Sequence, residues 1–258
     1  MFKFFRITVL LLILLGVAAG AWRSQRTSVQ WKYTLPVNLY PINGDGSAAS
    51  DAYIRSLTRE DFSPIEAFMQ EEAARYGRGA TASIEIRLGK PIDALPPATP
   101  NDRNALNVIL WSLQMRWWAY RHGETHGSNT QVKLYLLYFD PARHPQLAHS
   151  TALQKGLMGR VNVFASPIMA KQNNVIIAHE FLHTLGATDK YDLATNQPLF
   201  PEGYAEPNLS PRLPQQFAEI MGGRTPLTAT ESETPDSLRK ALIGVKTAQE
   251  INWQAAQK

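Results

Sequence analysis

Residues 178–189 read Ala-His-Glu-Phe-Leu-His-Thr-Leu-Gly-Ala-Thr-Asp, an H-E-x-x-H-x-x-G-x-x-D pattern set in an apolar stretch. On a helix, positions four apart share a face, so His179 and His183 present two imidazoles to one point. Glu180, beside them, can reach water at that point without being a ligand. Val175, Ile176, Ile177, Phe181, Leu182 and Leu185 suit a buried helix that holds its side chains rigidly. Asn173 or Asn174 is the expected N-cap. Gly186 stands where a left-handed residue would end the helix. A sharp turn there would bring Asp189 back as a third ligand. Nitrogen ligands, an open position and a nearby base are what a zinc hydrolase requires. The competing reading is a buried helix with two merely hydrogen-bonded histidines. It would bury much polar surface for no evident gain.

These residues resemble the metzincin clan of zinc metallopeptidases, and within it the members with aspartate as third ligand, such as snapalysin. Asp189-Lys190-Tyr191-Asp192 is similar to the D-x-Y-D of immune inhibitor A-type peptidases. Ala218-Glu219-Ile220-Met221-Gly222-Gly223 resembles the methionine turn of the clan, with Met221 as its methionine; the alternative is a core methionine filling a gap. By order of elements the resemblance spans roughly residues 80–225. It implies an α+β domain with a twisted mixed β-sheet and long helices, one of them carrying the motif. It further implies Zn2+ held by His179, His183 and Asp189, with Glu180 as general base in the hydrolysis of peptide bonds. An edge strand formed by Arg160, Val161, Asn162, Val163 and Phe164 would pair with a protein or peptide substrate. Gly223 stands where some metzincins carry a tyrosine, so that transition-state helper is missing; Tyr191 or Tyr204 is the candidate substitute. The gluzincin pattern would instead use Glu202 or Glu206, but Pro201 and Pro207 break the helix it needs.

The N-terminus adds location. Residues 7–22 are a 16-residue uncharged apolar run, preceded by Lys3 and Arg6. This is the layout of a secretory signal or a short membrane anchor, slightly under the roughly 20 residues that span a bilayer. Ala19-Gly20-Ala21 would serve for cleavage, and Arg23 and Arg26 follow at once. The expectation is export to the periplasm or beyond, with the chain tethered by residues 7–22 if they are not removed. Residues 23–32 read as a polar tether and residues 33–258 as one domain.

Charge then argues against a nucleic-acid partner. Of 26 basic residues, five lie within residues 1–32, which contain no acid; the body keeps 21 basic against 22 acidic residues. No basic patch remains that would track phosphates. The absence of cysteine excludes disulfides, thiolate ligands and a lipid-modified cysteine anchor.

Along the body, Tyr33–Ile42 reads as a strand, with a turn at Asn43-Gly44-Asp45-Gly46. Residues 64–76 read as a helix stopped at Gly77, 82–88 as a strand and 90–102 as a proline-rich loop. Residues 105–121 form a strong helix whose Leu106, Ile109, Leu110, Leu113, Trp117 and Trp118 are expected in the core, a ligand platform being the alternative. Residues 131–138 and 160–165 read as strands, 223–237 as an exposed loop, and 248–256 as a last helix capped by Thr247. His122 and His126 repeat the i, i+4 spacing, but Gly123 and Gly127 argue for a polar loop. His144 and His149 flank Pro145 and are expected at the surface.

Overall fold

A strand that is apolar nearly throughout must be covered on both faces, and Leu35–Asn43 (β1) is such a strand, buried along almost its whole length. In the computed structural model, which describes Arg6 and residues 26–79, 81–100, 104–123, 131–154 and 157–254, it sits inside a sheet. Ala48–Ser56 (α1) follows, with the Ser47 side chain capping the Ser50 amide. Ser63–Arg75 (α2) has proline in its first turn, where no amide donor is needed. Then come Ile84–Leu88 (β2), Ala105–His122 (α3), Val132–Phe139 (β3), Thr151–Leu153 (β4), Met158–Phe164 (β5) and Ala170–Leu185 (α4). Two small sheets complete the chain: Ala218–Glu219 (β6) with Ala241–Leu242 (β9), and Thr225–Pro226 (β7) with Ser232–Glu233 (β8). Val245–Glu250 (α5) is the last helix.

The main sheet has the order β2-β1-β3-β5-β4. Its first four strands pair in parallel and β4 runs antiparallel to β5, so the architecture is α+β with a mixed sheet. One face carries a large core with Leu39, Leu134, Leu136 and Val161 from the strands, Phe68 and Met69 from α2, and Ile177, Phe181 and Leu182 from α4. The other face carries a smaller cluster in which Met115, Trp118 and Ala119 of α3 meet Tyr40, Tyr135 and Leu137. β3 therefore buries both its faces, not only the side of Val132, Leu134, Leu136 and Tyr138.

Several expectations are corrected. The strand containing Arg160, Val161, Asn162, Val163 and Phe164 is not an edge: β4 lies outside it. Its outer side is occupied at Arg160 by Thr151, at the Asn162 amide by Ser150 Oγ, and at Phe164 by the Asn173 side chain. Asn173 and Asn174 do not cap α4, which begins at Ala170. They lie buried in its early turns, where Asn174 donates to the Asp61 carbonyl. The last helix is shorter and earlier than expected, and Thr247 lies within it. The expected exposed loop at 223–237 contains the β7–β8 pair, with Thr225 buried. The tether does not reach residue 32, because Trp31 is buried and donates to the Ile251 carbonyl at 2.8 Å.

The largest departure is α3. Trp111, Met115, Trp118 and Ala119 are buried, but Leu106, Ile109, Leu110, Leu113 and Trp117 are exposed, Trp117 at 62%. The helix is apolar on two opposite sides and the protein covers one of them. The apolar run 7–22 lies outside the described residues. Among the described residues no helix is long and apolar enough to cross a membrane.

Candidate metal centre

The centre is built at the C-terminal end of α4. Gly186 takes φ 111° and returns the chain, with the Gly186 amide donating to the His183 carbonyl and the Ala187 amide to the Leu182 carbonyl, both at 3.1 Å. That left-handed backbone favours glycine, and a Cβ there would also have to displace the end of the Gln154 side chain. The turn brings Asp189 back over the helix. Its Oδ1 lies 3.2 Å from His179 Nε2 and 3.0 Å from His183 Nε2. The two imidazoles stand nearly perpendicular, 4.7 Å apart.

The opposite ring nitrogens decide what those short distances mean. His179 Nδ1 lies 2.9 Å from the Ile220 carbonyl and His183 Nδ1 lies 2.8 Å from the Ala187 carbonyl. A carbonyl only accepts, so each Nδ1 carries the hydrogen and donates it. In the neutral rings both Nε2 lone pairs then face Asp189 Oδ1. Three acceptors converging on one point require positive charge between them: a shared proton or a cation. Bonds of about 2.0–2.1 Å to a tetrahedral zinc put ligand atoms about 3.3 Å apart, close to the spacing seen. Carbonyl partners behind ligating histidines fix tautomer and ring orientation, as metal sites require. The donor set and its geometry fit a zinc ion.

Electrostatics follow the same logic. Burial opposes charge on His179, but the bond to Asp189, with help from Glu180 and the Ile220 carbonyl, lifts its pKa to about 9. Burial likewise opposes the Asp189 carboxylate, and the two imidazoles outweigh it, holding the group well below the usual range. Glu180 moves the other way: burial raises its carboxyl against the pull of both histidines. It is 6% exposed, and its Oε2 is buried without a protein partner. Ligand-type atoms of His179, Glu180 and His183 all lie within 4.8 Å of one another. Asp189 approaches both imidazoles more closely, at 3.2 Å and 3.0 Å.

Residues the sequence did not single out hold this arrangement. Glu250 of α5 accepts from the Thr188 amide at 3.0 Å, the Thr188 hydroxyl at 2.8 Å and Lys190 Nζ at 2.8 Å, gripping both neighbours of Asp189. Lys190, 3% exposed, also donates its amide to the Met221 carbonyl. Glu219, fully buried, receives the Met221 and Gly222 amides on Oε2 and the Gly244 amide and Thr247 hydroxyl on Oε1. It thereby shapes the turn whose Ile220 carbonyl supports His179. A charged residue inside the apolar run Phe217–Met221 is a readable sign of such a buried, satisfied carboxylate. Glu250, 60 residues from Lys190 in the chain, leaves no local sign.

The other candidates fall into place around the centre. Met221 is fully buried in the core beneath its turn. Tyr191 is at the centre, its ring 6.4 Å from that of His179. Tyr204 instead stacks edge-on against Phe200 and bridges to Ala218. Glu202 is exposed, and Glu206 accepts the Gln216 amide; neither joins a group of metal-binding side chains among the described residues. His122 closes α3, with its Nδ1 3.0 Å from the Trp118 carbonyl; His126 lies outside the described residues. His149 is exposed, and His144 is partly covered against Phe139, 3.8 Å from Asp45. A cavity of about 440 Å³ opens near the other end of α4, lined by Phe68, Glu71, Lys171, Asn174 and Arg239. Among the described residues it gathers no group of metal-binding side chains like that at the histidine pair.

Compared with known protein families and with curated proteins, the chain matches none.

Proposed function

We propose that this protein is a zinc-dependent endopeptidase of metzincin type, with His179, His183 and Asp189 as ligands and Glu180 as general base. The observation that carries the reading is the convergence of two Nε2 atoms and one carboxylate oxygen, each imidazole fixed from behind by a carbonyl. The turn bearing Met221 supports the family assignment, because its Ile220 carbonyl orients a ligand. A zinc ion held there would supply Lewis acidity, polarising a scissile carbonyl and lowering the pKa of water. Glu180, buried and with one oxygen free of protein partners, takes the proton from the attacking water and passes it to the leaving amine. Tyr191, whose ring lies 6.4 Å from that of His179, is the candidate for steadying the developing oxyanion. With β5 enclosed, the strand offered to an extended peptide is β4, Thr151–Leu153, the edge of the main sheet beyond β5. The apolar run 7–22 supports export, with the body outside the cytoplasm.

Metal analysis of the purified full chain tests this. About one zinc per chain, reduced in Asp189→Ala, is expected. Zinc unchanged in that variant would move the third ligand, with Glu202 examined next. Zinc without peptide hydrolysis would leave an exported zinc-binding domain, and no zinc after reconstitution would end the enzyme reading.

A further inference from the structure

α3 has a second apolar face that nothing among the described residues covers. Leu106, Ile109, Leu110, Leu113, Trp117 and Tyr120 are all more than half exposed and fall along one stripe at 3.6 residues per turn. Trp117 and Tyr120 stack on each other within it, 6.0 Å apart. Solvent-facing apolar patches of this kind mark interaction sites. We propose that this face of α3 lies on the surface of a bilayer bearing anionic lipid, parallel to the membrane plane.

Charge selects that occupant. The helix carries no aspartate or glutamate, and Arg116 and Arg121 border the stripe on its two sides. An apolar face with tryptophan and tyrosine, bordered by a half-buried Arg116 and an exposed Arg121, has the composition of helices that rest in the headgroup region. At 18 residues, and too polar to qualify as a span, α3 lies on a membrane and does not cross it. The N-terminal sequence points the same way. Residues 7–22 are apolar, and residues 1–32 hold five basic residues and no acid.

The lack of cysteine allows a clean test. The full chain carrying Leu113→Cys is labelled with an environment-sensitive fluorophore, with Glu233→Cys as the control. It is reconstituted in vesicles of equal parts phosphatidylcholine and phosphatidylglycerol. The Leu113 label should become protected from a water-soluble quencher and open to a lipid-soluble one, while the control stays in water. Adding Arg116→Gln and Arg121→Gln should weaken the protection, by about fivefold for each arginine. A Leu113 label that stays water-accessible on vesicle-bound protein overturns the proposal. So does protection without vesicles: if it rises with protein concentration, a second copy covers α3, and if it does not, the chain's own apolar run does.

Discussion

α3 and α4 are both apolar helices against the same sheet, on opposite faces, and they meet different fates. α4 buries nearly all of its circumference between β5, α2 and the loop returning from Gly186. That enclosure fixes the rotamers of His179 and His183 and leaves only the ligand edges accessible. α3 buries one stripe and leaves the other to its surroundings. An apolar helix thus states how much partner surface it needs without stating who provides it. In α4 the partner is the protein itself, and the outcome is a rigid centre. In α3 it is only half the protein, and the outcome is a contact surface.

Substitutions can break or sharpen that contrast. The largest effect is expected from Glu180→Ala, which should retain zinc and lower peptide hydrolysis by about 10²–10⁴-fold; unchanged turnover alongside intact metal content would remove Glu180 from its role. Next, Leu182→Ala on α4 should cost about 2–5 kcal/mol in urea unfolding, since that side chain is fully buried. The matching change on α3, Leu113→Ala, should stay within about 0.5 kcal/mol. Equal costs for the two would show that the outer face of α3 is covered after all. Glu250→Gln should weaken zinc retention against a chelator by about 10–100-fold without abolishing it, because Asp189 is loosened and not removed.

A smaller effect is expected at the β1–α1 turn. Burial would raise the Asp45 carboxyl, but the Asp140 and Ser47 amides and the hydroxyls of Ser47 and Ser50 bring it from 3.8 down to about 2. A depressed acid contributes stability above its unfolded value, and that contribution disappears as the pH falls through the folded one. Unfolding midpoints should therefore drop between about pH 4 and pH 2, and Asp45→Asn should flatten that drop; parallel curves would assign the acid sensitivity elsewhere.

The sequence made the centre legible because its geometry is local. The i, i+4 spacing and the glycine stop require only helix geometry and one left-handed residue, and His179, His183 and Asp189 meet as those rules imply. The sheet was legible as strands but not as an order. Nothing within residues 158–164 announces that Thr151–Leu153 will pair outside them, so β5 read as an edge. α1 went unread because Ala48–Ser56 is short and Ile54 is the one large apolar side chain it buries; its best signal was the Ser47 cap. The Gly244 and Thr247 bonds of Glu219 and the Thr188 and Lys190 bonds of Glu250 cross 25 or more residues, where periodicity has nothing to say.

The grip of Glu250 on Thr188 and Lys190 has a consequence in time. During synthesis the histidine pair leaves the ribosome well before α5 does, and N-terminal parts fold first. Until α5 docks, the segment holding Asp189 is tied only by the Gly186 turn and by the Lys190 amide bond to the Met221 carbonyl, without the Glu250 bonds to Thr188 and Lys190. In the proposed centre, the third ligand is therefore held in full only after the last helix has docked, some 60 residues of synthesis beyond Lys190.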